Sequence, residues 1–280
     1  MNQSTTSTFK RWLALLSLVI CIGLSAYAET IDGIVYTTST SSSNRTATVT
    51  GYSGSPRNVV IPAQIKVGNT NYSVTTIADA AFANCTSLES ITIPASVTKI
   101  GTDVTQNTNR VFYGCTSLKN VIFEDGTSEL SLGYYDSSPG KGLFFDCPLQ
   151  EVYLGRNITY PYASYPSRRG YSVFYNQQNL TQATIGEKVT TLPDYLFYGC
   201  KNLDRIISMA SSVPLAGTST FIGSTNPNAV VNATAYVPYG RKSSYSSTDS
   251  WKDLKYIKEW FYDDNCSYIP LTNSTVEVEA

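Results

Sequence analysis

Apolar residues recur along most of the chain in one pattern. The first copy begins Phe82-x-x-Cys85-x-x-Leu88 and continues with Ile91-x-Ile93. The three-residue spacing of Phe, Cys and Leu is close to the helical period, and it predicts one turn of helix with these side chains facing inward. The alternation of Ile91 and Ile93 predicts a short strand with one buried face. Each copy is therefore predicted to form a short helical turn followed by a short strand.

The same pattern returns four more times. Its leading positions are residues 82, 112, 144, 174 and 197, which gives steps of 30, 32, 30 and 23 residues. Self-similarity at such periods indicates a solenoid, in which each coil buries its apolar edge against the next. We therefore predict a β-rich solenoid of short strands and short helical turns. The residues predicted to form the repeat core are Phe82, Cys85, Leu88, Phe112, Cys115, Leu118, Phe144, Cys147, Leu149, Phe174, Leu180, Phe197, Cys200 and Leu203.

The repeats divide the chain into segments. Residues 29–74 contain alternating β-branched residues and are predicted to form an N-terminal β cap. Residues 75–212 hold the repeats, residues 213–261 a C-terminal repeat and cap, and residues 262–280 a polar tail. Caps are expected because the end coils of a solenoid would otherwise expose an open sheet edge and an unfinished core.

The first 28 residues have the features of a secretory signal peptide. Lys10 and Arg11 precede an apolar run over residues 12–25, and residues 26–28, Ala-Tyr-Ala, form a small-x-small cleavage site. The apolar run is shorter than the roughly 20 residues that a membrane-spanning helix needs. We predict cleavage after Ala28, a secreted or cell-surface location, and no transmembrane segment in the cleaved chain.

Composition argues against several kinds of chemistry. The 280-residue chain has a net charge of −1 and contains no histidine. The common Ser–His and Cys–His nucleophile pairs are therefore impossible, and no pair of carboxylates is marked out for acid–base work. No basic patch is present that would attract nucleic acid. We predict a chain that is not an enzyme, has no cofactor or metal, and does not bind nucleic acid.

Cysteines occupy the same position in four copies. Cysteines of exported proteins form disulfides by default, but Cys85, Cys115, Cys147 and Cys200 would stack as a ladder of small buried side chains. Adjacent coils repeat at about 4.8 Å, whereas a disulfide needs Cβ atoms about 3.8 Å apart. We therefore predict free thiols in the core, with Cys266 as a fifth cysteine in the tail. The spacing also lacks the close Cys-x-x-Cys pair of a zinc site.

The repeat closely resembles the BspA-like, or treponemal-type, leucine-rich repeat. The resemblance covers about residues 30–260 and includes the Leu-Gly-Arg-Asn-Ile run at residues 154–158. It implies a right-handed leucine-rich-repeat array on a secreted or surface-exposed protein, of a kind associated with adhesion to host proteins or other cells. The chain departs from the family pattern at Gln177, where Cys is usual, and in the shortened Cys147-Pro148-Leu149. Both departures suggest irregular coils in the middle of the array.

Tyrosine and arginine residues cluster at an insertion between the third and fourth copies. Both residue types are favoured at protein interfaces, and insertions in a repeat array project from one face that often binds a partner. The alternative is that these rings cover the flank of the irregular coils. The candidate binding residues are Tyr160, Tyr162, Tyr165, Arg168, Arg169 and Tyr171.

The array, the export signal and the lack of catalytic groups together favour a non-catalytic adhesion or recognition module. Its expected partner is an extracellular protein or glycan, which it would bind as a monomer. The alternative is a structural or antigenic surface protein that has no specific soluble ligand.

Overall fold

The structure is a computed structural model, and several predicted features lie outside the part of the chain that it describes. These features are the signal peptide up to residue 27, the binding candidates at residues 162–171, Cys266, and the end of the polar tail beyond residue 270. The described residues are 28–41, 43–101, 110–133, 143–160, 172–221, 232–262 and 268–270.

The N-terminal region contains six strands. They are β1 (Ala28–Ile31), β2 (Ile34–Thr38), β3 (Thr46–Tyr52), β4 (Asn58–Val60), β5 (Gln64–Val67) and β6 (Thr70–Ile77). β1, β2 and β3 pair in antiparallel order, and β5 is antiparallel to β6. β3 and β6 pair in parallel, so the change from hairpins to stacked coils occurs at this pair.

Each of the five repeat copies contributes one strand of four residues and a second, shorter one. The strands of the repeats are β7 (Ser90–Ile93), β8 (Lys99–Ile100), β9 (Asn120–Phe123), β10 (Leu130–Leu132), β11 (Glu151–Leu154), β12 (Ile158–Thr159), β13 (Gln182–Ile185), β14 (Thr191–Leu192), β15 (Arg205–Ser208) and β16 (Leu215–Ala216). Pairing between successive copies is parallel throughout. The strand-rich coils therefore stack as a solenoid.

The C-terminal region closes the stack. It contains β17 (Thr234–Pro238), the helix α1 (Lys242–Ser247), a 3-10 helix (Trp251–Asp253), β18 (Tyr256–Tyr262) and β19 (Tyr268–Pro270). Trp251 is fully buried, and its indole Nε1 donates to the Pro214 carbonyl at 2.8 Å. Tyr245 is also buried, with its hydroxyl 2.7 Å from Ser208 Oγ. These aromatic side chains fill the end of the core.

The described strands form three sheets around the core of the solenoid. The long sheet has the order β4-β7-β9-β11-β13-β15-β17-β18-β19, and the second sheet runs β1-β2-β3-β6-β8-β10-β12 with β5 beside β6. The third sheet consists of β14 and β16, which pair in parallel. Equivalent residues of successive copies pair directly, so Ile91 lies beside Val121 and Val121 beside Val152. In β7, β9 and β11 the inward residues are buried and the residues between them are not, so the alternation of the sequence is reproduced in these coils.

The helical turn predicted from the Phe-x-x-Cys-x-x-Leu spacing is replaced by two consecutive tight turns. In the first copy the Cys85 amide donates to the Phe82 carbonyl at 3.0 Å, and the Leu88 amide donates to the Cys85 carbonyl at 3.2 Å. Asn84 lies between them with φ of +60°, in the left-handed region that a helix of L-residues avoids. Among the described residues, helix occurs only in the C-terminal region. The right-handedness implied by the family resemblance stays a prediction.

A stack of aromatic rings runs along the core. The ring centroids of successive repeat phenylalanines are 5.0–5.8 Å apart, and the ring planes are within 14° of parallel. Tyr52 extends the stack toward the N-terminus, and Phe221 extends it to Trp251 at the C-terminal cap. The stack thus joins both caps through the repeat rings Phe82, Phe112, Phe144, Phe174 and Phe197.

Two glycines with a left-handed backbone differ in how closely another part of the chain approaches them. Gly114 has φ of +74°, and a Cβ there would lie 2.5 Å from Asn84 Oδ1 in the preceding coil. Gly54 has nearly the same φ, +71°, but a Cβ there would meet no atom within 4 Å. Substitution at Gly54 therefore reports the free-energy cost of the left-handed backbone alone, whereas substitution at Gly114 adds the cost of crowding between coils.

We predict that Gly114→Ala destabilises the protein more than Gly54→Ala does. The left-handed backbone should cost each variant about 1–2 kcal/mol, and crowding against Asn84 should cost Gly114→Ala about 1–3 kcal/mol more. Urea unfolding of the two variants beside the parent chain measures the difference. Equal losses of unfolding free energy would show that the coils are not packed this closely at the turn.

Candidate functional site: the outer face of the long sheet

All of the predicted repeat-core residues lie in the interior of the solenoid. Their side chains are between 0% and 6% exposed. Phe221 is also buried and continues the aromatic stack, although it is not among the five copies identified from the sequence. These residues build the scaffold and do not form a surface that could bind a partner.

The repeated cysteines hydrogen bond from one coil to the next. Cys115 Sγ donates to the Phe82 carbonyl at 3.1 Å, and Cys200 Sγ donates to the Phe174 carbonyl at 3.0 Å. Cys147 makes the same contact at 3.2 Å. Burial raises the pKa of Cys200 to about 12, so this thiol keeps the proton that it donates at neutral pH. The prediction of free buried thiols is confirmed for Cys85, Cys115, Cys147 and Cys200.

Gln177 preserves this contact in the copy that lacks the cysteine. Its Nε2 donates to the Phe144 carbonyl at 2.8 Å, and the side chain is buried. The amide therefore takes the place of the thiol as donor to the preceding coil. The departure from the repeat pattern at this position changes the donor and keeps the bond.

We predict that Gln177→Leu destabilises the protein by about 1–3 kcal/mol, because it leaves the buried Phe144 carbonyl without its inter-coil donor. Gln177→Cys, which restores the donor of the other copies, should lose less. The free energies of unfolding of both variants measure the effect. A Leu variant as stable as the Cys variant would contradict the role assigned to the amide.

The candidate binding residue Tyr160 lies inside the protein. Its side chain is 5% exposed, and its hydroxyl donates to the Asp194 carbonyl. Burial raises its pKa well above the ordinary range for tyrosine. The ring packs in the core because its hydroxyl finds a backbone acceptor there. Tyr160 is therefore corrected to a core residue, and the other candidates, Tyr162, Tyr165, Arg168, Arg169 and Tyr171, lie outside the described residues.

The outer face of the long sheet carries two rows of side chains at the positions between the core-facing ones. Pairing in register aligns these positions from strand to strand. The first row is polar and contains Asn58, Ser90, Asn120, Glu151, Gln182 and Arg205. The second row is apolar, aromatic or β-branched and contains Val60, Thr92, Ile122 and Tyr153, followed by Thr184 and Ile207, which are buried.

An open depression of about 460 Å³ lies in the middle of this outer face. Ile122, at 40% exposure, is an exposed large apolar side chain on the floor of the sheet. Tyr153 beside it is held by a hydrogen bond of 2.8 Å from its hydroxyl to Asp125 Oδ2. Gly186 leaves room for this arrangement, since a Cβ there would lie 2.9 Å from the Tyr153 hydroxyl. The lining side chains are Asn120, Ile122, Glu151, Tyr153, Gln182 and Thr184.

This surface was not predicted from the sequence, although the sequence contains a signal for it. The residues between the inward positions of each strand are those of the two outer rows. The alternation shows which way they point, but their alignment into one surface depends on the register between strands.

The described ranges contain neither a candidate metal centre nor a candidate membrane-spanning helix. Over the ranges that it describes, no group of three or more His, Cys, Asp and Glu side chains could hold a metal ion. In the same ranges no helix is long and apolar enough to cross a membrane.

Short parallel strands stacked coil upon coil around an aromatic and thiol core define a leucine-rich-repeat solenoid. The chain belongs to the family described as BspA-type leucine-rich repeat region, whose model matches residues 75–228 and 167–259 in six copies. The resemblance drawn from the repeat is therefore confirmed.

The comparison with solved structures matches bacterial leucine-rich-repeat proteins. A leucine-rich cell surface protein from Faecalibacterium prausnitzii is 23% identical over 88% of this chain and 61% of that chain, with a TM-score of 0.40. The leucine-rich-repeat protein of T. pallidum is 22% identical over 70% of this chain and 89% of that chain, also with a TM-score of 0.40. The chain thus spans 61% of the length of the F. prausnitzii protein. No curated protein matches the chain.

Proposed function

We propose that the protein is a non-catalytic adhesion or recognition module, secreted or held at the cell surface, that binds an extracellular protein or glycan. The observation that carries the proposal is the depression on the outer face of the long sheet. There the apolar Ile122 and the fixed ring of Tyr153 lie beside a row of polar side chains.

This arrangement has the composition of a protein interface. Interfaces combine an apolar and aromatic centre with a polar rim that supplies hydrogen bonds. In this sheet Ile122 and Tyr153 form the centre, and Asn120, Glu151 and Gln182 form the rim. Because the hydroxyl of Tyr153 is already bound to Asp125, the ring loses little conformational freedom when a partner covers it. The surface thus favours recognition of a partner, which needs no reacting group.

The Tyr- and Arg-rich insertion is a second part of the proposed binding surface. Its residues Tyr162, Tyr165 and Arg168 have the side chains that most often anchor protein interfaces. The contributions of the insertion and of the outer face to partner binding can be measured separately, because each can be substituted without changing the other.

We predict that Ile122→Asp weakens partner binding by about tenfold or more, since it places a charge at the apolar centre of the interface. Val60→Asp is the matched control, because Val60 lies in the same outer row, is 69% exposed and lies outside the depression. Binding of residues 29–280 to extracellular-matrix proteins and to a glycan array gives the comparison. The triple variant Tyr162→Ala, Tyr165→Ala and Arg168→Ala tests the insertion in the same assay.

The outcomes separate the competing interpretations. Binding lost in Ile122→Asp and kept in Val60→Asp supports the outer face, and binding lost in the triple variant supports the insertion. Equal binding by the Ile122 and Val60 variants contradicts the proposed role of the depression. If no partner in the panel is retained by the parent chain, the alternative of a structural or antigenic surface protein is favoured instead.

A further inference from the structure

One repeat copy lacks a turn that the other copies have. In the second copy the Leu118 amide closes this turn on the Cys115 carbonyl at 3.0 Å, and in the fourth the Leu180 amide closes it on the Gln177 carbonyl at 3.3 Å. In the third copy only Pro148 separates cysteine from leucine, which is one residue too few for a turn of this type. The third copy is therefore one residue shorter than the other copies at this point.

The missing turn opens a cavity of about 280 Å³ between the third and fourth coils. Cys147 beside it is 6% exposed, whereas the other repeat cysteines are at most 1% exposed. The cavity therefore follows from the shortening of this copy. It is walled mainly by Phe145, Asp146, Pro148, Tyr175, Gln178 and Asn179.

One wall of the cavity is aromatic and held in place. Tyr175 is half-buried and stacks on Tyr198 with ring centroids 5.9 Å apart. Tyr198 is in turn packed edge-on against Tyr195 at 5.8 Å. Phe145 adds a second half-buried ring from the third coil. The aromatic wall is thus preorganised for a ligand.

The remaining wall is polar. Gln178 Nε2 donates to the Gly199 carbonyl at 2.9 Å, which fixes its amide. In the fifth copy the side chain of Asn202 reaches back to the Gln178 carbonyl at 2.6 Å. Asn179 occupies the equivalent position in the fourth copy. Neither Asn179 nor Asp146 makes a side-chain hydrogen bond or ion pair within the described part of the chain, and both are exposed.

We propose that this cavity binds one neutral pyranose unit. Aromatic rings offer an apolar face to the C–H groups of a sugar, while amide and carboxylate groups bond its hydroxyls. Among the described residues no lysine or arginine lines the cavity, and Asp146 would repel an anion, so a neutral sugar fits the charge of this lining. The volume lies just below the roughly 300 Å³ at which pockets for drug-sized ligands begin, which suits a single unit. The site is separate from the outer face of the long sheet.

Saturation-transfer NMR of the chain with glucose, galactose, mannose and N-acetylglucosamine tests the proposal. We expect at least one of these sugars to bind with a dissociation constant on the order of 1 mM, as ligands of this size do. Replacing Pro148 with a Thr-Ser pair, the residues that occupy this place in the first copy, rebuilds the turn and should abolish binding while the fold is kept.

Two point variants test the same cavity without inserting a residue in the third copy. Asp146→Asn and Asn179→Ala should each weaken sugar binding by about five- to tenfold. Asparagine already occupies the position of Asp146 in the first and fourth copies, so the backbone tolerates it. Ser117→Ala, at the position of Asn179 in the second copy, is the control and should leave binding unchanged.

Three results would overturn the proposal. The first is that none of the four sugars binds, the second is that binding survives rebuilding of the turn, and the third is that both point variants bind as tightly as the parent chain. None of these results tests the outer face of the long sheet, which Ile122→Asp tests separately.

Discussion

In the first four copies the carbonyl oxygen of the repeated phenylalanine accepts two hydrogen bonds, and the stacking of the coils depends on them. One comes from a backbone amide of the same coil and closes the tight turn, as between Cys85 and Phe82. The other comes from the inward side chain of the following coil, a thiol in Cys115 and an amide in Gln177. A buried carbonyl that lacks a partner is costly, so each coil is held at a fixed height and angle on the previous one. That fixed height also lets the phenylalanine rings stack and the strands pair in register.

Much of the fold could be predicted from the sequence, because the copies repeat the same inward residues. The strands and the buried core follow directly from the alternation and the spacing. The helical turn could not be distinguished from two tight turns by spacing alone, since both place every third residue on one side. The residue before the cysteine carried the missing information. Asn84, Gly114 and Gly199 are residue types that accept a left-handed backbone, and their recurrence marks a turn.

The functional surfaces were harder to predict, because they depend on relations between coils. Tyr160 belongs to a tyrosine-rich run, but its hydroxyl finds the Asp194 carbonyl inside the protein. Arg156 has the side chain of a surface residue, yet it is fully buried and donates to the carbonyls of Pro94 and Ala95 in another coil. The depression around Ile122 requires the register of three neighbouring strands. The cavity beside Cys147 results from a deletion that the sequence alone marks only as an irregular coil.

Raman spectroscopy of the S–H stretching band tests most directly whether thiols join the coils through the phenylalanine carbonyls. A chain of residues 29–280 that carries Cys266→Ala contains only the repeat cysteines, of which Cys115, Cys147 and Cys200 lie 3.0–3.2 Å from a carbonyl oxygen. An S–H group that donates a hydrogen bond vibrates at a lower frequency than one that does not. We expect the folded protein to show a lowered S–H band that returns to the free-thiol position on unfolding in urea. A band at the free-thiol position in the folded protein would contradict the account.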